Sequence, residues 1–169
     1  THDRTPQRST EAQSTLAQTE SSTHDTTPPR DPRIEEIVKT LAAAGTVIAA
    51  ERLSELGTDP VKGFSPEEAA NGARYEKKYG VELVRSQHPG DDFVIKGTGI
   101  TVDAMGAIPS QHFKIDSFRN SLVKHLRKSS DRISIDGTGL TTSQQEAIKS
   151  EIEKLSEEER ARVDTVGFE

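Results

Sequence analysis

The order of elements legible after residue 64 constrains this chain more than any other feature: helix, three short strands, helix, strand, helix, strand. Ser65-Pro66-Glu67-Glu68 reads as a capping box with proline in the first turn, and the helix it opens runs to about Tyr79, where Gly80 stops it. Ala69, Gly72, Ala73 and Glu76 share one face of that helix, and its small side chains allow close approach to a sheet, aiming Glu76 inward. Strand patterns follow at 81–86, 92–95 and 100–103, the last two joined by the glycine-bearing turn Lys96-Gly97-Thr98-Gly99. After Gly106 and Pro109, the spacing of Phe118, Leu122 and Leu126 predicts a helix over 116–128. Ile133 and Ile135 predict a strand over 132–136. Thr142 with Gln145 reads as a second capping box, opening a helix that runs on to Glu157-Glu158-Glu159-Arg160, and a last strand is expected at 162–166.

Helix, three-stranded meander, helix and fourth strand make up the αβββαβ core of the restriction-endonuclease-like nucleases, an α/β fold with a mixed sheet. Ahead of it, Asp31 and Pro32 start an extra helix whose apolar stripe runs from Ile34 to Leu56, bent at Gly45 and stopped at Gly57. Residues 1–30 are dominated by Thr, Ser, Gln and Pro, with Leu16 as their only large apolar side chain. Such a stretch cannot bury enough surface to offset the entropy of ordering. The expected organisation is a disordered linker at 1–30, a helical pre-domain or packing segment at 31–62 and a nuclease domain at 63–169.

Hydrophobic residues are 31% and aromatics 4% of 169 residues, lean for a fully folded chain and consistent with an unfolded segment. A formal net charge of -6 repels nucleic acid and anionic membrane, so contact with a polynucleotide requires a local basic patch. The absence of cysteine excludes disulfides, thiolate catalysis and cysteine-ligated zinc. No apolar run approaches the roughly eighteen residues that span a bilayer, and no signal peptide is recognisable, so no stable membrane insertion is expected. The chain opens on Thr1 and its only methionine is Met105, which suggests a piece of a longer polypeptide.

Carboxylates punctuate the meander: Asp92 opens its second strand, Asp103 closes its third, and Glu76 sits on the inward helix face. The hairpin brings Asp92 and Asp103 to the same end of neighbouring strands, where with Glu76 they are candidate catalytic ligands for one divalent cation. Oxygen donors suit Mg2+ or Mn2+. The lysine usual two residues after the third-strand carboxylate is missing, because Asp103 is followed by Ala104 and Met105. Lys114 or Lys124 could supply that ammonium, and Gln111 or His112 could orient a water. Arg119, Lys124, Arg127 and Lys128 on the second core helix, with Arg132 beyond it, form the best candidate phosphate-binding patch, although cations near a helix C-terminus also favour its dipole. His88 and His112 could act as a metal-independent acid–base pair, whereas His125, beside Leu122, reads as a packed or surface histidine. Neither Gly97-Thr98-Gly99 nor Gly137-Thr138-Gly139 has the setting of a phosphate loop, the first lacking a following helix and the second the lysine.

On the residues KGFSPEEAANGARYEKKYGVELVRS, then PGDDFV with ITVDAMG, then FRNSLVKHLRKSSDRISID, the chain from Gly63 to Phe168 resembles the toxic C-terminal domains of bacterial polymorphic toxins, particularly CdiA-type contact-dependent growth inhibition effectors. The resemblance implies a secreted or cell-surface effector fragment, detached from a parent effector polypeptide and delivered to the target-cell cytoplasm. There it would cleave nucleic acid, transfer RNA or DNA, while a cognate immunity protein protects the producer. It also implies that Glu76, Asp92 and Asp103 are the catalytic carboxylates. The competing readings are a non-catalytic interaction or immunity-type domain on a tether, in which Asp92 and Asp103 point apart into solvent, and a metal-independent ribonuclease using His88, His112 or His125.

Overall fold

Ser65 and Gly80 bound the helix on which the rest of the fold is assembled. In the computed structural model, which describes residues 30–88 and 90–169, that helix is Pro66–Tyr79. The linker expected at 1–30 lies, except for Arg30, outside the described residues. Ahead of the Pro66–Tyr79 helix, here α3, come α1 (Arg33–Ala43), α2 (Ala50–Gly57) and a two-stranded hairpin of β1 (Thr58–Asp59) and β2 (Gly63–Phe64). After it come β3 (Leu83–Arg85), β4 (Phe93–Ile95), β5 (Thr101–Met105), α4 (Ile115–Arg127), β6 (Arg132–Asp136), α5 (Thr142–Glu153), α6 (Glu157–Ala161) and β7 (Val163–Val166).

The expected α/β class with a mixed sheet is what the chain adopts. Five strands lie in the order β3-β4-β5-β6-β7; the first three form an antiparallel meander, and β6 and β7 extend it in parallel with β5. Alternation along the strands divides the apolar residues into two layers. On one face Val102 and Phe93 pack with Ala69 and Ala73 of α3 and with Ile34, Leu41, Leu53 and Leu56 of α1 and α2. On the other, Met105, Ile133 and Ile135 pack with Phe118 and Leu122 of α4 and Ile148 of α5. The segment 31–62 therefore contributes side chains to the same core as the sheet.

Gly72 sets how closely α3 lies on the sheet. A Cβ there would stand 2.9 Å from Cζ of Phe93, which is fully buried. Truncating Phe93 to alanine would cost about 3–5 kcal/mol, and a side chain at position 72 would push the helix off the strands.

Two expected helices are each divided in two. Gly45, at φ 95°, and the Thr46 N–H donating to the Leu41 carbonyl at 2.8 Å close α1, so the stripe expected through Leu56 restarts in α2. Similarly, α5 ends at Glu153, because Ser156 and Glu159 form a capping box that opens α6. The box at the start of α5 uses Thr141 and Gln144, one residue earlier than Thr142 and Gln145. Among the described residues no helix is long and apolar enough to cross a membrane.

Candidate active site

Phe93 pairs with Val102 and Val94 with Thr101, so the next step of that antiparallel register sets Asp92 opposite Asp103. Facing residues of such a pair have Cβ atoms about 5 Å apart. The two carboxyls hydrogen-bond to each other, and Asp92 Oδ2 also accepts the Ala104 N–H at 2.7 Å. β5 runs two residues past Asp103, so Asp103 sits mid-strand with its side chain 2% exposed rather than at a strand end.

The two carboxyls respond in opposite directions. Burial, then the hydrogen bonds to Asp103 and Glu68, push Asp92 up to about 8, so it is largely protonated at neutral pH. Burial raises Asp103 too, but hydrogen bonds from His125 and Asp92 and the charges of His125 and Lys128 outweigh it and hold Asp103 below the usual carboxylate range. Asp103 Oδ2 lies 2.5 Å from His125 Nδ1 and accepts from Lys128 Nζ at 3.1 Å. An ionised carboxylate can only accept, so Nδ1 carries the imidazole proton.

The helix carboxylate beside this pair is Glu68, not Glu76. Ser65 caps α3 by accepting the Glu68 N–H, but its own N–H donates to the Gly57 carbonyl, so the Glu68 side chain is free to turn toward the strands. There Glu68 accepts from Arg85 Nη1 at 3.0 Å and hydrogen-bonds to Asp92. Arg85 also donates to Asp59 at 3.2 Å and lies 5.1 Å above the Phe93 ring. Glu76 is two turns further on, about 12 Å along the axis. Its carboxylate accepts from Arg52 at 2.5 Å and from the Leu83 N–H at 2.7 Å, tying α3 to α2 and β3.

Lys128 is held in place from behind. Arg162 donates to the carbonyls of Leu126, Lys128 and Ser130 at 3.0, 3.1 and 2.8 Å, Ser130 donates to Asp91, and Asp131 accepts the Thr101 N–H at 3.0 Å. The connection after α4 is thereby tied to β5 and to the residue before Asp92. Lys128 thus supplies an ammonium to Asp103 from outside β5, the part for which Lys114 and Lys124 were candidates.

Of the expected basic patch, Arg119 is engaged elsewhere: Nε and Nη2 donate to the Glu151 carboxylate at 3.0 and 2.9 Å, locking α4 to α5, and Nη1 donates to Asp116. Lys124 and Arg127 are exposed, with no ion-pair partner among the described residues. His88 and His112 are both exposed. An open cleft of about 360 Å³ with Asp92, Asp91, His88, Lys62 and Lys128 on its walls lies beside the carboxyl pair. Among the described residues no three Asp, Glu or His side chains stand as a ready-made cation cage.

The chain is similar in structure to the CdiA-CT toxin from Burkholderia pseudomallei E479, solved in complex with its cognate CdiI immunity protein. The TM-score is 0.52 at 24% identity, and the match covers 60% of this chain and 99% of that one. The two share a fold. Nearly the whole of that toxin structure thus has a counterpart here. No protein-family model and no curated protein sequence matches the chain.

Proposed function

We propose that this chain is the toxin domain of a contact-dependent growth inhibition effector: a metal-dependent nuclease with a restriction-endonuclease-like core that hydrolyses RNA, transfer RNA in the first instance, in target bacteria. In this reading it is the end of a secreted or cell-surface polypeptide delivered to the target cytoplasm, and a cognate immunity protein blocks it at home. The observation that carries the proposal is the Asp92–Asp103 pair, Asp92 immediately before β4 facing Asp103 within β5, with Lys128 against Asp103 and Glu68 against Asp92. The likeness in fold to a CdiA-CT toxin solved in complex with its cognate immunity protein supports the toxin part of the reading.

The donor set suits a hard divalent cation. Mg2+ is commonly bound through one or two carboxylates plus substrate phosphate and water rather than by a full protein cage. Asp92 and Asp103 would hold the ion, with Glu68 as the nearest further carboxylate. Such an ion neutralises charge on the scissile phosphate and lowers the pKa of the attacking water. The chain's own groups do the rest. Lys128 Nζ, 3.1 Å from Asp103, stands where it can also meet a phosphate oxygen. His125 fixes the orientation of Asp103, and the exposed Lys124 and Arg127 extend the positive surface along which a polynucleotide backbone can lie.

The His125–Asp103 contact supports a second reading, a metal-independent ribonuclease in which Asp103 orients His125 as general base. Incubating the purified chain with total RNA and with plasmid, in Mg2+ and in chelator, separates the readings. The proposal expects RNA breakdown that chelator abolishes, the second reading expects breakdown in chelator, and no breakdown of either substrate leaves only a binding role.

A further inference from the structure

We infer that the chain carries a separate nucleotide-binding site in the cleft at the carboxyl ends of β6 and β7. The cleft lies outside the carboxyl ends of these two parallel strands, between the loop after β6 and the residues after β7. Here it is a cavity of about 400 Å³, with Arg74, Lys77 and Lys78 of α3 on one wall, Thr138 and Gly139 after β6, and Phe168 after β7. That volume suits a small ligand with a ring and a phosphate. Lys77 lies nine residues beyond Glu68 on α3, about 14 Å along the axis, so this cleft is distinct from the carboxyl pair.

Charge and shape both point to an anion bearing a flat ring. The chain as a whole carries -6, yet Arg74, Lys77 and Lys78 gather here, and Lys149 lies 5.8 Å from the centre of the Phe168 ring. Two carboxylates oppose them. Asp136 is fully buried and engaged with Arg74 at 2.5 Å, and Glu169 is exposed at the rim. Lys78 donates to the neutral Thr165 carbonyl at 2.5 Å, and Lys77 is exposed, with no ion-pair partner among the described residues.

The floor is shaped by glycine. A Cβ on Gly167, at φ 70°, would fall 1.9 Å from Thr138 Oγ1, whereas one on Gly139 would meet nothing within 4 Å. The Thr138 hydroxyl is buried beneath Gly167 and has no hydrogen-bond partner among the described residues. Phe168 lies against Gly137, where a Cβ would come within 2.7 Å of its ring, and presents a flat apolar wall. A base set against Phe168 would share the cavity with the Lys77 and Lys78 ammoniums, which would meet its phosphate. The nucleotide is either free in solution or one unit of a polynucleotide strand.

Calorimetric titration of the full chain at low salt in EDTA, with AMP and separately with a 2′-O-methyl RNA 12-mer that resists cleavage, tests the site. The expected result is saturable binding of at least one probe, weakened about tenfold or more by Lys77→Glu and unchanged by Asp92→Asn. Binding of AMP identifies a free nucleotide as the ligand, and binding of the 12-mer alone identifies a strand. Lys77 is exposed, so the variant should keep its fold, which circular dichroism checks; Lys77→Gln supplies an uncharged second variant with weakened binding. Binding of neither probe, or an affinity that Lys77→Glu leaves unmoved, overturns the inference. Cleavage of total RNA in Mg2+ is a separate readout, so failure of this site and failure of the nuclease reading are distinguishable.

Discussion

On β6 and β7 each buried carboxylate has its own arginine: Asp136 faces Arg74 at 2.5 Å, and Asp164 faces Arg132 and accepts from the Tyr75 hydroxyl at 2.6 Å. Just before β4 and within β5 the arrangement is reversed, because Asp92 and Asp103 face each other and hydrogen-bond, while Lys128 and His125 both attend to Asp103 alone. Paired one to one, a buried carboxylate is a structural fastener. Set against a second carboxyl, it is costly to ionise, and such costs collect where a site is built for something to bind.

Removing a carboxylate from each region should separate the two roles most sharply. Asp103→Ala or Asp92→Ala is expected to lower RNA cleavage on the order of 10³-fold with the circular dichroism spectrum intact. Asp136→Ala is expected to do the reverse, costing about 3 kcal/mol or more in urea unfolding because Arg74 is left half-buried and unpaired, with cleavage by the folded fraction unchanged. If both substitutions acted alike on stability and activity, the contrast between the regions would be gone.

The pH dependence of stability sharpens the same point. Asp92 has a folded-state pKa of about 8 against 3.8 for the ordinary side chain, so the folded chain binds more protons than the unfolded one across that window. Its contribution to stability is full below the lower value and lost as pH rises toward the upper, with a slope of at most ~1.4 kcal/mol per pH unit for one proton. Asp103, shifted downward, works in the opposite sense and is felt only in acid. Asp92→Asn should therefore melt higher than the wild type at pH 9 while losing cleavage, as measured by thermal unfolding at pH 5, 7 and 9. A wild-type stability that rises from pH 5 to pH 8 in step with that of Asp92→Asn would mean the pair is not strained. The smallest expected effect distinguishes the two helix carboxylates. Glu68→Gln should reduce cleavage about 10- to 100-fold, whereas Glu76→Gln should leave it unchanged and only lower the melting temperature.

The element order was readable because its signals are local. Ser65 with Pro66 and Gly80 delimit α3, and a glycine-bearing turn joins β4 to β5. A hairpin fixes register over a few residues, so the approach of Asp92 to Asp103 followed from the turn between them. Glu68 was hidden by its own position. Three residues after a serine N-cap it reads as half of a capping box, and only the tertiary placement of Arg85 and Asp92 draws it away. Arg119 looked free because its partner Glu151 lies 32 residues away. Lys128 was placed among the basic side chains of α4, but its reach to Asp103 depends on Arg162, which holds the end of that helix from the far side of β6. Glu76 shares its helix face with the small residues that meet the sheet, but by its position on α3 it meets Arg52 and β3 instead.

Binding of Mn2+ near neutral pH, followed by its electron paramagnetic resonance signal in the wild type, Asp103→Ala and Glu76→Ala, tests the central claim most directly. The account predicts that the wild type and Glu76→Ala take up the ion and that Asp103→Ala does not. Equal uptake by Asp103→Ala, or no uptake by the wild type, would contradict it.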